Sequence, residues 1–179
     1  LTSDATEGNV TSSSTLTFTS ANWNTNQTLS VTGVNDVIDD GDVAYQINIS
    51  NATSTDPKYS GQFSTSVAAT NDDNDTVGFV VSSISNHTTE AGGTATFTVR
   101  LTSKPATDSE NYVVLVNMAS NDGTEGSVTS TPLTFTATDW NVDQTVTVTG
   151  IDDIVVDGNI TYSIVLTVDQ TGTTDPGYD

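Results

Sequence analysis

Along most of this chain, apolar residues alternate with threonine and serine at a period of two. The clearest run is Ile160-Thr161-Tyr162-Ser163-Ile164-Val165-Leu166-Thr167-Val168, where Ile160, Tyr162, Ile164, Leu166 and Val168 share one face and the other is mainly hydroxyls. Thr94 to Leu101 behaves likewise, with Ala95, Phe97, Val99 and Leu101 inward and Thr96, Thr98 and Arg100 outward. Side chains of an extended strand point alternately to its two faces, so this pattern buries one face and wets the other. It predicts strands near 15–18, 27–33, 43–50 and 62–70, then near 78–84, 94–102, 112–119, 133–136, 144–150 and 160–168. Turn residues recur between them and no stretch has a helical period. The predicted class is all-β, an antiparallel sandwich.

The strands fall into a tandem repeat. Phe18-Thr19-Ser20-Ala21-Asn22-Trp23-Asn24 matches Phe135-Thr136-Ala137-Thr138-Asp139-Trp140-Asn141, and Gln27 to Gly33 matches Gln144 to Gly150, both 117 residues apart. Thr6-Glu7-Gly8 pairs with Thr124-Glu125-Gly126 at 118 and Thr55-Asp56-Pro57 with Thr174-Asp175-Pro176 at 119. The chain therefore reads as about one and a half repeats. Residues 1–75 are expected to be the C-terminal part of repeat one, its first strands missing, and residues 76–179 repeat two, its last strand missing. The joint, Asn71-Asp72-Asp73-Asn74-Asp75-Thr76, is too short and too rich in oxygen ligands to read as a flexible tether. A solvated linker is the alternative.

Charge sharpens the picture at the loops. Thr32-Gly33-Val34-Asn35-Asp36-Val37-Ile38-Asp39-Asp40-Gly41-Asp42 returns as Thr149-Gly150-Ile151-Asp152-Asp153-Ile154-Val155-Val156-Asp157-Gly158-Asn159, each an acidic loop between two strands. Clustered carboxylates repel, by about 1 kcal/mol per pair at 4 Å in bulk water and by more where water is excluded. Only three Lys plus Arg stand against 23 Asp plus Glu, a net charge of −20, so the chain cannot neutralise these loops itself. That points to a hard cation with oxygen ligands, Ca²⁺ foremost. The bland alternative is a solvated turn; catalysis by a carboxylate pair such as Asp36 with Asp40 would need a cleft that thin sandwiches rarely form. The same charge argues against nucleic acid or an anionic membrane as partner.

Other residues carry less. There is no Cys, hence no disulfide or thiolate site, and a bound ion can take over the stapling role. No run of 18 apolar residues is present. Trp23 and Trp140 read as plugs over one end of a core, with a sugar-stacking platform as the alternative; Tyr45 and Tyr162 read as core. His87 reads as a loop residue, and no nucleophile–base pair or phosphate-binding loop occurs.

Thr88-Thr89-Glu90-Ala91-Gly92-Gly93-Thr94-Ala95-Thr96-Phe97-Thr98-Val99 resembles the opening of a Calx-β domain. Asp152-Asp153 through Asp157, with the strand Ile160 to Val168, resembles its acidic loop and following strand, and the Trp-Asn-x-x-Gln-Thr element resembles tandem arrays of large bacterial surface and secreted proteins. The resemblance implies a seven-stranded Ig-like sandwich binding calcium at one end. It implies ligands Glu90, Asp122, Asp152, Asp153 and Asp157 in repeat two, and Asp4, Asp36, Asp40 and Asp42 with Asp72, Asp73 and Asp75 in repeat one. Repeat two departs from the pattern at Ile154, Val156 and Asn159. Strands missing from each repeat are expected either from the same polypeptide outside this stretch or from a neighbouring identical subunit by strand donation.

The expected function is non-enzymatic: a Ca²⁺-binding extracellular or cell-surface repeat serving as stalk, adhesin segment or filament building block. The partners expected are neighbouring repeats or identical subunits, with no membrane insertion. A passive spacer in a large secreted enzyme or toxin, and a carbohydrate-binding module, are the alternatives.

Overall fold

A β-strand persists only where a neighbour completes its ladder of backbone hydrogen bonds, and that rule decides which alternating segments of this chain become strands. The computed structural model describes residues 1–106 and 112–178. Its chain divides into two compact units, one of Leu1–Asp36 with Asp40–Asn74, the other of Val37–Asp39 with Asp75–Asp179. Both are all-β among the described residues, and every strand pair is antiparallel.

The second unit is a two-sheet sandwich. Strands β5 (Phe79–Val81), β6 (Thr94–Leu101), β8 (Gly126–Val128) and β10 (Gln144–Gly150) form a sheet in the order β5-β6-β10-β8. Strands β7 (Val113–Ser120), β9 (Leu133–Thr136) and β11 (Ile164–Val168) form another in the order β11-β7-β9. Strand β6 shows the period predicted, Ala95, Phe97, Val99 and Leu101 being buried and the residues between them not. Phe97, Val99 and Leu101 join Val114, Val116, Phe135, Val146, Val148 and Tyr178 in one core, so both sheets contribute an inner face. Trp140 packs against that core, and its carbonyl accepts the Leu101 N–H at 2.9 Å. Tyr178 is buried with its hydroxyl donating to Ser103 O at 2.7 Å and accepting the Ser103 N–H at 3.2 Å.

The first unit holds β1 (Gly8–Val10) paired with β2 (Val31–Gly33), and β3 (Val43–Ile49) paired with β4 (Thr65–Asn71) over seven residues. Its buried apolar side chains are Tyr45 and Ile47. Gly8 opposite Gly33 repeats the pairing of Gly126 with Gly150 in the second unit, so the duplication in sequence is a duplication in register.

Besides 62–70, which begins at Thr65, and 78–84, which shrinks to β5, three predicted strands come out shorter or absent, each because a partner is lacking. Residues 15–18 are not a strand: their counterpart β9 is held by β7, and in the first unit the corresponding edge carries only the Thr2–Ile47 bridge among the described residues. Residues 27–30 are irregular because the matching part of β10 is held by β6, which has no described equivalent there. Residues 160–163 are irregular because the equivalent part of β3 leans on β4, and β11 has no such neighbour among the described residues. The three-residue strands β1 and β8, too short to show a period, were not anticipated.

Candidate metal centre

Each unit builds the same acidic corner from a turn, a short strand and a loop. In the first, the Asp4 carboxylate accepts the Thr6 N–H at 2.9 Å and the Thr6 hydroxyl at 2.5 Å, an Asx-turn that delivers Glu7 to the start of β1. The Val34 N–H donates to Glu7 O at 3.0 Å and ties the end of β2 to the same place. In the second, Asp122 accepts from Thr124 N–H at 3.1 Å and its hydroxyl at 2.6 Å, and the Ile151 N–H donates to Glu125 O at 3.0 Å. The glycine after each glutamate is sterically required. A Cβ on Gly8 would stand 2.4 Å from the Tyr45 ring and one on Gly126 2.3 Å from the Tyr162 ring.

The following loop brings the other two acids. Carboxylate oxygens of Glu7, Asp36 and Asp40 lie within 4.8 Å of one another, as do those of Glu125, Asp153 and Asp157. Gly41 and Gly158, at φ of 76° and 81°, turn the chain just after the last acid of each set, a conformation that residues with a Cβ rarely adopt. Two oxygens bound at about 2.4 Å to one ion can be up to about 5 Å apart, so each triad has the spacing to hold a metal ion. The donors are all hard oxygens, which suits Ca²⁺ or Mg²⁺ over softer metals.

Electrostatics mark the same groups. Burial, then the charges of Asp36, Glu7 and Asp73, push the Asp40 carboxyl above its ordinary range. Desolvation, then Asp157, Asp122, Asp153 and Glu90, do the same to Glu125. Asp4 and Asp122 go the other way, held down mainly by the hydroxyl and amide of Thr6 and Thr124. Glu7 is only 6% exposed; its carboxylate accepts the Thr6 hydroxyl and the Asn71 side-chain amide, each at 3.2 Å. That Asn71 amide also donates to Val34 O at 2.7 Å.

Of the acids singled out in the sequence, the structure brings Asp36 and Asp40 together in one unit and Asp153 and Asp157 in the other. Asp4 and Asp122 serve the preceding turns. Asp42 and Asp73 latch the loop to the segment after β4: Asp42 accepts the Asp73 N–H at 2.9 Å and Asp73 accepts the Gly41 N–H at 2.9 Å. Glu90 stands close enough to raise Glu125 but outside its triad. Asp72 and Asp152 are exposed and outside the triads, and Asp75 belongs to the second unit. Ile154 and Val156 are fully exposed between Asp153 and Asp157. The residues overlooked as ligands are Glu7 and Glu125, although the repeat had already aligned them. A glutamate recurring beside a matched glycine was the signal.

Comparison with protein-family models, with curated proteins and with solved structures finds no match for this chain.

Proposed function

We propose that this chain is a Ca²⁺-binding structural repeat of the Calx-β kind, without enzymatic activity, from an extracellular or cell-surface protein in which such repeats form a stalk, adhesin segment or filament. The observation that carries the reading is the recurrence of one triad, glutamate plus two loop aspartates, at matched positions of both units. In each unit the three carboxylates lie within 4.8 Å of one another, close enough to share one ion. The net charge of −20 disfavours polyanionic partners and favours a divalent cation.

Glu7 or Glu125 supplies a carboxylate fixed to the sandwich, while the two aspartates arrive on a loop free to adjust. Bound Ca²⁺ supplies charge neutralisation across the three groups. Binding to the folded state alone adds stability as RT ln(1 + [L]/Kd), about 2.7 kcal/mol at a hundredfold excess over Kd. The stiffened corner is the mechanical function. Isothermal titration of the chelator-treated chain with Ca²⁺, repeated on the doubly substituted Asp36→Asn, Asp153→Asn chain, tests the reading. Saturable binding that the substitutions abolish supports it; an identical melting curve in chelator and in millimolar Ca²⁺ refutes it.

A further inference from the structure

Three Asp–Gly steps occur in this chain, Asp40–Gly41, Asp122–Gly123 and Asp157–Gly158. At such a step the glycine amide nitrogen, with no Cβ beside it to obstruct the approach, can attack the carboxyl carbon of the preceding aspartate and close a five-membered ring. The structure separates the three. The Asp122 carboxylate is already engaged, accepting the Thr124 N–H at 3.1 Å and its hydroxyl at 2.6 Å. Asp40 and Asp157 are exposed, their glycines turn at φ of 76° and 81°, and a Cβ on either glycine would meet nothing within 4 Å. Among the described residues, Gly41 alone of the three glycines has its amide on a carboxylate. Its N–H donates to Asp73 at 2.9 Å, and Asp73 is itself fixed by donating its own N–H to Asp42 at 2.9 Å. Asp73 also lies near enough to Asp40 for their charges to interact.

We propose that Asp40–Gly41 is a self-modification site, at which the Asp73 carboxylate hydrogen-bonded to the Gly41 N–H assists conversion of Asp40 to isoaspartate. As the Gly41 nitrogen bonds to the Asp40 Cγ, its proton passes to Asp73. The C–O bond to the hydroxyl of the protonated Asp40 carboxyl then breaks, and the hydroxyl leaves as water with the proton that Asp73 carried. Asp73 returns to its starting state and the product is a succinimide. Water that opens the ring at Cγ restores aspartate. Water that opens it at the Asp40 main-chain carbonyl leaves the Gly41 nitrogen on Cγ, so the backbone runs through the former side chain. No other reactant is needed. The free carboxylate of the product sits directly on Cα, on a loop one methylene longer, and so leaves the triad with Glu7 and Asp36. The conversion depends on a hydrogen bond and stands whether or not the triad binds calcium. Its protection rests on the calcium reading: an ion on the Asp40 carboxylate keeps it from the ring, so an occupied corner is preserved and an ion-free one ages.

The test is to incubate the full 179-residue chain with chelator in warm, weakly acidic buffer and to map isoaspartate at each Asp–Gly step by electron-transfer fragmentation of its peptides. Asp40 should convert faster than Asp157, which has the same turn and no base, by about tenfold or more, and Asp122 should convert least. Asp73→Asn keeps an oxygen for the Gly41 N–H but is no base. It should slow Asp40 to the Asp157 rate while hydrogen-exchange protection of β3 and β4 stays as in the parent. In the Asp40→Asn chain the same ring expels ammonia instead of water, and adding Asp73→Asn should slow that deamidation too, a comparison independent of the charge at position 40. Conversion of Asp40 no faster than that of Asp157, or rates indifferent to Asp73→Asn in both backgrounds, would overturn the proposal. Repeating the incubation in Ca²⁺ separates its fate from that of the calcium reading: slower conversion at Asp40 supports that reading, and an unchanged rate tells against it alone.

Discussion

Replacing Glu7 by Gln should reverse sign between chelator and calcium, and the geometry says by how much. Glu7 faces two carboxylates within 4.8 Å. At that separation each pair of unit charges repels by about 0.9 kcal/mol in water and by about 3.5 kcal/mol at an effective dielectric constant near 20. Asp40 is exposed and Glu7 buried, so the real value lies between. Glutamine keeps an oxygen for the Asn71 amide, and its own amide can donate to the Thr6 hydroxyl, which still donates to Asp4. The change therefore removes charge while preserving the hydrogen bonds, and in chelator it should stabilise the first unit by about 2 kcal/mol or more. For a domain of this size that is several degrees in Tm, at roughly 4–8 °C per kcal/mol. In calcium the order should invert, because the variant loses one of three anionic ligands and most of its calcium-dependent gain. Scanning calorimetry of both proteins with and without Ca²⁺ reads the crossing. A variant less stable than the parent in chelator, or one with an undiminished calcium increment, would refute the reasoning.

The same corner should respond to pH. Asp40 and Glu125 have raised folded pKa values, so in chelator their contribution is present below about pH 4, the unfolded carboxylate range, and is lost as pH rises through those raised values. Asp4, Asp122 and Asp169 have lowered values and contribute above about pH 4, losing that as pH falls through their folded values. Chelated Tm should accordingly peak in weakly acidic solution, and a steady rise from pH 4 to pH 7 would contradict the assignment. Gly126→Ala should cost about 1–3 kcal/mol in thermal denaturation, since its methyl enters the Tyr162 ring. Tyr178→Phe leaves the Ser103 N–H and carbonyl without their buried partner and should cost about 1–3 kcal/mol, read as a lower urea midpoint at unchanged slope.

The alternating runs gave away the fold class because burial of one sheet face writes itself into every second residue, as at Ala95, Phe97, Val99 and Leu101. They could not give strand lengths, because a strand's extent depends on a neighbour that may be distant in sequence. Gln27 to Ser30 alternates no less than Gln144 to Thr147, yet only the second lies against β6. The acidic loops were legible as charge, and two aspartates of each were placed together as read. The glutamate was missed because it lies 29 residues before Asp36, beside a strand too short to have a period. Charge density along a loop says where repulsion accumulates, but the choice of ligands depends on which backbone hydrogen bonds hold that loop.

Asn71 closes β4 and also reaches Glu7, so the residue that completes the sheet also fixes the first ligand of the triad. Glu7 is nine-tenths buried there; at the matching corner Glu125 is half-buried, and its carboxyl is raised by desolvation and then by four neighbouring acids. Strand pairing and cation affinity at the first corner are then linked equilibria: loss of the Asn71 side chain should weaken ion binding at Glu7, Asp36 and Asp40, and bound cation should protect the end of β4 in turn. Calcium titration of the Asn71→Ala chain beside the parent gives that coupling directly. Equal affinities at the first triad would mean that asparagine and ion act on Glu7 independently.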